Sequence, residues 1–145
     1  MKLGAIRSRA LLLIIFVALC VASFSVWVHR KSKAEAERVV GKYFEAIGWE
    51  DRSKAIAALQ PIFFFQKSPD DLGRSLDKLS AKFGSFQSFS IYLWKIHSGS
   101  GIAGKGAYVT LYCQTVYSKG SVQEDFTLFK GSGDLGFRVV KLDFD

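Results

Sequence analysis

Glu124 and Asp125 are the acids placed where proton chemistry would use them. They sit inside a strand-forming run, and consecutive strand residues point to opposite faces, so one of the two can face an apolar interior. Burial there raises a carboxyl pKa toward neutrality, which is what a general acid or base requires. The plain reading is an edge-strand charge that blocks unwanted pairing. Glu35, Glu37, Glu45, Glu50, Asp51, Asp70, Asp71 and Asp77 fall instead on polar helix faces or at helix caps. His97 is a weaker candidate for proton transfer. It stands beside Ser98, with no clustered cysteine or carboxylate, so it makes no metal site, and an exposed turn histidine is the default reading. Neither a metal nor another cofactor is expected.

The stretch from Gly99 to Gly104 reads G-x-G-x-x-G, and Gly99 to Lys105 reads G-x-x-x-x-G-K. Both patterns bind phosphate through backbone N–H groups at a helix N-terminus. The residues that follow read as a strand, so the segment is expected to be a flexible hairpin loop. Cys113 alternates with Leu111 and Thr115 and shares their face as a small buried residue. Cys20 lies in a different, wholly apolar segment, so the two thiols are not expected to pair.

These residues are carried by a simple succession of elements. Ala36, Val40, Tyr43 and Ile47, widened by Val39 and Phe44, form a helical stripe over residues 34–47, ended by Gly48, with Ser32 as a cap if the helix starts afresh there. Residues 53–60 form a shorter helix stopped by Pro61. Residues 62–65 are a buried strand or an apolar turn. Ser68-Pro69-Asp70-Asp71 is a capped helix start. Leu72, Leu76, Leu79 and Phe83 follow on one stripe up to Gly84. The grammar then turns to strands, over 86–96, 108–117, 122–130 and 137–144. They are joined by the 98–106 loop and by turns at 118–121 and 131–136, which implies an antiparallel meander. Three helices before such a sheet pack on one face of it, a two-layer α+β architecture.

The chain has 145 residues and 49% hydrophobic content, enough for one packed domain and too much for a disordered one. Its net charge of +7 is unevenly placed. Of the 20 basic residues six lie in residues 1–33, which hold no acid, so the remaining 14 face all 13 acids in the rest of the chain. A near-neutral domain lacks the basic face that nucleic acid requires, and no nucleic-acid partner is expected.

The basic residues flank an uncharged run, residues 10–28, which as a helix rises about 28 Å, one hydrocarbon core. Trp27 ends it, and Arg30, Lys31 and Lys33 can snorkel to head groups. Residues 1–33 therefore read as a basic segment and membrane anchor, and residues 34–145 as the globular domain. The alternative is a signal peptide cleaved near Val21-Ala22-Ser23. Apolar character that continues to Val28 favours retention. Val17-Ala18-Leu19-Cys20 departs from a lipoprotein box at Leu19. The short basic leader favours a cytoplasmic N-terminus, which puts the domain outside the cytoplasm, in the periplasm.

The order over residues 34–145 resembles the nuclear transport factor 2-like superfamily, cystatin-like in a broad sense. The likeness is to its small bacterial exported domains of unknown function. It rests on the 36–47 helix, the capped helix 68–83 with Gly84, and the strand-rich end from Phe86. The resemblance implies a curved four-stranded sheet around an apolar, cone-shaped pocket. Isomerases of that fold pair an inward aspartate with a tyrosine donor, and Tyr43, Tyr92, Tyr108 and Tyr112 supply phenols here. Gln114-Thr115-Val116-Tyr117-Ser118 also resembles the cystatin hairpin Q-x-V-x-G, with serine in place of the glycine.

Tyr43, Phe63, Phe65, Phe83, Tyr92 and Tyr112 are the candidate pocket residues, although thirteen phenylalanines also suit a filled core. The expected function is a membrane-tethered, extracytoplasmic, non-catalytic binding or scaffold domain. Its partner is a protein, a second copy or an apolar small ligand. The alternative is an isomerase- or dehydratase-like enzyme using the inward acid.

Overall fold

The computed structural model describes residues 3–48, 50–59 and 68–144. The first helix, α1, runs Leu3–Gly48 without a break. Ser32 therefore lies inside a helix and caps nothing, which corrects the separate start expected near residue 34. The sequence His29-Arg30-Lys31-Ser32-Lys33-Ala34-Glu35 holds no glycine or proline, and most of these residues favour helix, so nothing there interrupts the backbone ladder. By packing, the chain divides into two compact units, residues 1–32 and 33–145.

In the first unit the described apolar side chains from Leu12 to Val28 are exposed. The helix is long and apolar enough to cross a membrane. At its polar end the Lys31 ammonium lies 5.1 Å from the Trp27 ring centre. One turn earlier on the helix the ring of Phe24 stacks near Trp27, centroids 6.0 Å apart.

The second unit is α+β. After α1 come α2, Arg52–Ala58, and α3, Pro69–Phe83. Asp51 caps α2 by accepting from the Lys54 amide, which starts that helix one residue earlier than the sequence suggests; it ends at Ala58, before Pro61. Ser68 caps α3 in a full capping box with Asp71. The stretch 62–65, with Phe63 and Phe65, lies outside the described residues.

Four strands follow: β1 Phe86–Gly101, β2 Gly104–Tyr117, β3 Gly120–Gly131 and β4 Arg138–Phe144. They form one open antiparallel sheet in chain order. The glycine-rich stretch is not a loop, a second correction. Residues 98–101 pair with 104–107, leaving only Ile102 and Ala103 at the tip. Ladder hydrogen bonds need no side chains, and here a missing side chain is required. A Cβ on Gly101 would lie 2.7 Å from the Tyr108 ring, whose hydroxyl donates to Gly104 O at 2.6 Å.

One sheet face carries the core. Ala36, Val40, Tyr43 and Phe44 of α1, Ala55 of α2 with Leu59 just after it, and Leu72 and Leu76 of α3 pack with Val109, Leu111, Cys113, Phe126, Leu128, Val139 and Leu142. The rings of Phe44 and Phe89 stack at 4.2 Å. On the other face Tyr108, Phe129 and Val140 make a small second cluster.

The two ends of the sheet differ. At one end lie the β1–β2 and β3–β4 tips and the beginning of this unit's helix, where Lys130 bridges to Glu35 at 3.0 Å. At the other, α3 meets the β2–β3 turn. Gly84 holds φ +81°, Ser85 N donates to Ser118 Oγ, and Ser118 N donates to Ser85 O at 2.8 Å.

Candidate functional site

Alternation along β2 puts Cys113, Thr115 and Tyr117 on the core face. Alternation along β3 does the same for Val122, Glu124 and Phe126. The register sets Cys113 against Glu124 and Thr115 against Val122. Glu124 is thus enclosed, with no exposed surface, among apolar side chains from sheet and helices.

Its carboxylate is only partly satisfied. The Tyr117 hydroxyl donates to Oε1 at 2.9 Å. Glu124 Oε2, Thr115 Oγ1 and the Tyr43 hydroxyl have no hydrogen-bond partner among the described residues. Burial pushes the Glu124 carboxyl up to about 7, and the hydrogen bond from Tyr117 offsets part of that rise. Burial first and the Glu124 charge second raise the Tyr43 phenol well above its ordinary value, and the Tyr117 phenol rises for the same reasons. The Cys113 thiol goes up to about 12, again mostly by burial. The group exchanges one proton near neutrality, and at low pH Glu124 becomes a donor as well as an acceptor.

Tyr117 also links this group to the surface. It forms part of the wall of a cavity of about 300 Å³ at the α3 end of the sheet. Ile47, Leu76, Leu79 and Phe86 supply apolar walls, and Glu50, Arg52, Ser80 and Ser85 supply polar ones. The C-terminal part of α1 provides Ile47 and Gly48. Glu50 is held at φ +55°, and the Asp51 cap aims the first turn of α2, with Arg52, at the opening. Arg52 pairs with Asp77 of α3. A shallower groove along Phe44, Phe86 and Phe89 adjoins it at Gly48.

The nominated residues are scattered. Glu124 and Tyr43 come together in the core, electrostatically coupled. Phe83 sits near Tyr117, ring centres 6.3 Å apart. Asp125 points to the other face, where Gln123 Nε2 donates to it at 3.2 Å. Tyr92 and Tyr112 also lie on that outer face, 6.3 Å apart, and are not brought to Glu124. His97 is in β1 rather than in a turn, stacked on Tyr108 at 5.0 Å. Phe63 and Phe65 fall outside the described residues.

Sequence reasoning missed Tyr117 and Thr115 as members of the polar group, although the period-two pattern through Cys113 marks them. It also missed the cavity's polar wall, which depends on three separate elements meeting. Among the described residues no cluster of three or more His, Cys, Asp or Glu is placed to hold a metal ion. No family model, no curated protein and no solved structure matches the chain.

Proposed function

We propose that this chain is a membrane-tethered binding domain of the nuclear transport factor 2-like kind. In this reading residues 10–28 span a bacterial inner membrane, the N-terminus is cytoplasmic, and residues 34–145 work in the periplasm. The domain holds a small, largely apolar ligand rather than transforming it. The observation that carries the reading is the cavity of about 300 Å³ between α1, α2, α3 and the start of the sheet. Its volume suits a small molecule, and its mixed walls suit one with an apolar body and a single polar end. The helix order ahead of an antiparallel meander supports the family resemblance, and the apolar N-terminal helix supports the tether.

A second reading is favoured by one observation, the buried Glu124 held by a tyrosine hydroxyl. That pair has the composition of an acid–base site, and the reading is an isomerase- or dehydratase-like enzyme. Against it, Glu124 has no exposed surface and meets the cavity only through Tyr117.

Native mass spectrometry of the full chain released from detergent micelles tests both. The binding reading expects a retained apolar small molecule, lost in Leu79→Trp, which fills the cavity. An empty wild-type chain overturns it. Glu124→Gln should still carry the ligand if the domain is a binder. Conversion of that ligand by wild type and not by Glu124→Gln would establish the enzyme.

A further inference from the structure

We infer that the sheet end bearing the β1–β2 and β3–β4 tips is a docking surface for an anionic lipid bilayer. The inference rests on the tether proposed above and adds a second membrane contact, made by the domain itself. Each tip presents one large apolar side chain to solvent. Ile102 is 58% exposed and Leu135 fully so. Both tips are at the same end of an antiparallel sheet, because β1 and β3 run toward it and β2 and β4 away.

The β1–β2 hairpin also projects. β2 pairs with β3 only as far as Gly106 and Gly131, whereas β1 and β2 stay paired two positions further, to Gly101 and Gly104. Gly101 and Gly104 flank the projecting tip, so Ile102 can enter a head-group layer without bulky side chains beside it, and the next residue, Lys105, is left at head-group level.

Chain connectivity brings a bilayer to this end. Lys33 and Glu35 begin the domain's helix here; Glu35 pairs with Lys130, and a Cβ on Gly136 would lie 3.1 Å from it. Leu135 is the next residue. The apolar run ends at Val28, and five residues reach at most about 17 Å even when extended. Any bilayer spanned by that run therefore lies within reach of this end, whatever angle the two units make.

Charge agrees. The three acids here, Glu35, Glu37 and Asp134, are paired with Lys130, Lys33 and Arg138. Lys105, beside the β1–β2 tip, is exposed and makes no ion pair among the described residues, so the surface carries a cationic surplus. That complements phosphatidylglycerol head groups.

The test uses the full chain in vesicles of phosphatidylcholine and phosphatidylglycerol. In a Cys20→Ser background, Ile102→Cys, Leu135→Cys and Lys119→Cys each receive the same environment-sensitive fluorophore. Position 119 is the control at the far end of the sheet. Expected are a blue shift and quenching by shallow spin-labelled lipid at 102 and 135, weakened without phosphatidylglycerol, and neither at 119. Labels at 102 and 135 that behave like 119 overturn the docking surface. So do tip labels shielded from aqueous quencher yet untouched by spin-labelled lipid, since a protein then covers them. Wild-type chain labelled at Cys20 separates the two claims. Quenching there by deep spin-labelled lipid keeps the tether even if docking fails, and its absence removes the tether and the docking together.

Discussion

The Tyr117 hydroxyl donates to Glu124 Oε1 at 2.9 Å while the same residue forms part of the cavity wall. A fully buried carboxyl is thereby connected to a surface opening through one phenol.

Glu124 makes the domain's stability fall as pH rises. Its native pKa, about 7, stands above the ordinary 4.5, so between these values the folded chain binds more protons than the unfolded one. The stabilisation is complete below about 4.5 and is lost as pH passes through about 7. At about 1.4 kcal/mol per pH unit the full effect is about 3 kcal/mol. Glu124→Gln should be more stable than wild type at pH 8 by an amount of that order and should flatten the slope. Urea unfolding at pH 5 and pH 8 checks this, and an unchanged slope refutes it.

Tyr117→Phe removes the donor that partly restrains the Glu124 pKa. The carboxyl then titrates at higher pH than in wild type, and the loss of a hydrogen bond to a charged group costs about 1.5–3 kcal/mol above neutrality. Carbon-13 titration of the glutamate carboxyls reads the first effect and chemical unfolding the second. A downward movement of the Glu124 titration would contradict the arrangement.

Cys113 should be inert in the folded chain. Only the thiolate reacts, and burial has pushed this thiol up to about 12. In a Cys20→Ser chain at pH 8, modification by a maleimide should be slower than for an exposed cysteine by on the order of a thousandfold, and fast after denaturation. Rapid labelling of the native chain would place Cys113 outside the core.

Gly84→Ala should destabilise the domain by about 1–3 kcal/mol. The residue holds φ +81°, and a Cβ there would lie 2.1 Å from Ser118 Oγ. Adding Ser118→Ala should recover only part of the loss, because it relieves the clash and leaves the backbone strain. Full recovery would mean that the backbone conformation costs nothing.

Features whose cause is local are legible in the amino-acid sequence. The Ser68–Asp71 capping box lies within four residues, and its helix follows as expected. The β-alternation of Leu111, Cys113 and Thr115 marks their common face. Features that depend on a missing signal are not legible. Nothing in residues 29–35 marks where one helix would stop and another start, and none does. The glycine run reads as a loop because its pairing rests on backbone atoms and on the Tyr108 ring closing over Gly101. Glu124 and Asp125 are told apart only through register. The β2–β3 turn is two residues rather than four, with Tyr117 opposite Gly120. A slip by one residue would have turned Asp125 inward instead.

The meander adds its strands in chain order, yet the core it closes is not local. Val139 and Leu142, near the C-terminus, share one buried cluster with Ala36 and Val40, the first core residues of the domain. A chain that lacks β4 lacks Val139 and Leu142, two of the buried side chains that share a cluster with those of the helices. Closing that cluster joins residues about a hundred positions apart, and contacts so distant in sequence carry a loop-closure cost that local ones do not. A truncation that removes only the final strand therefore leaves no smaller native domain, but a chain whose two ends have not met.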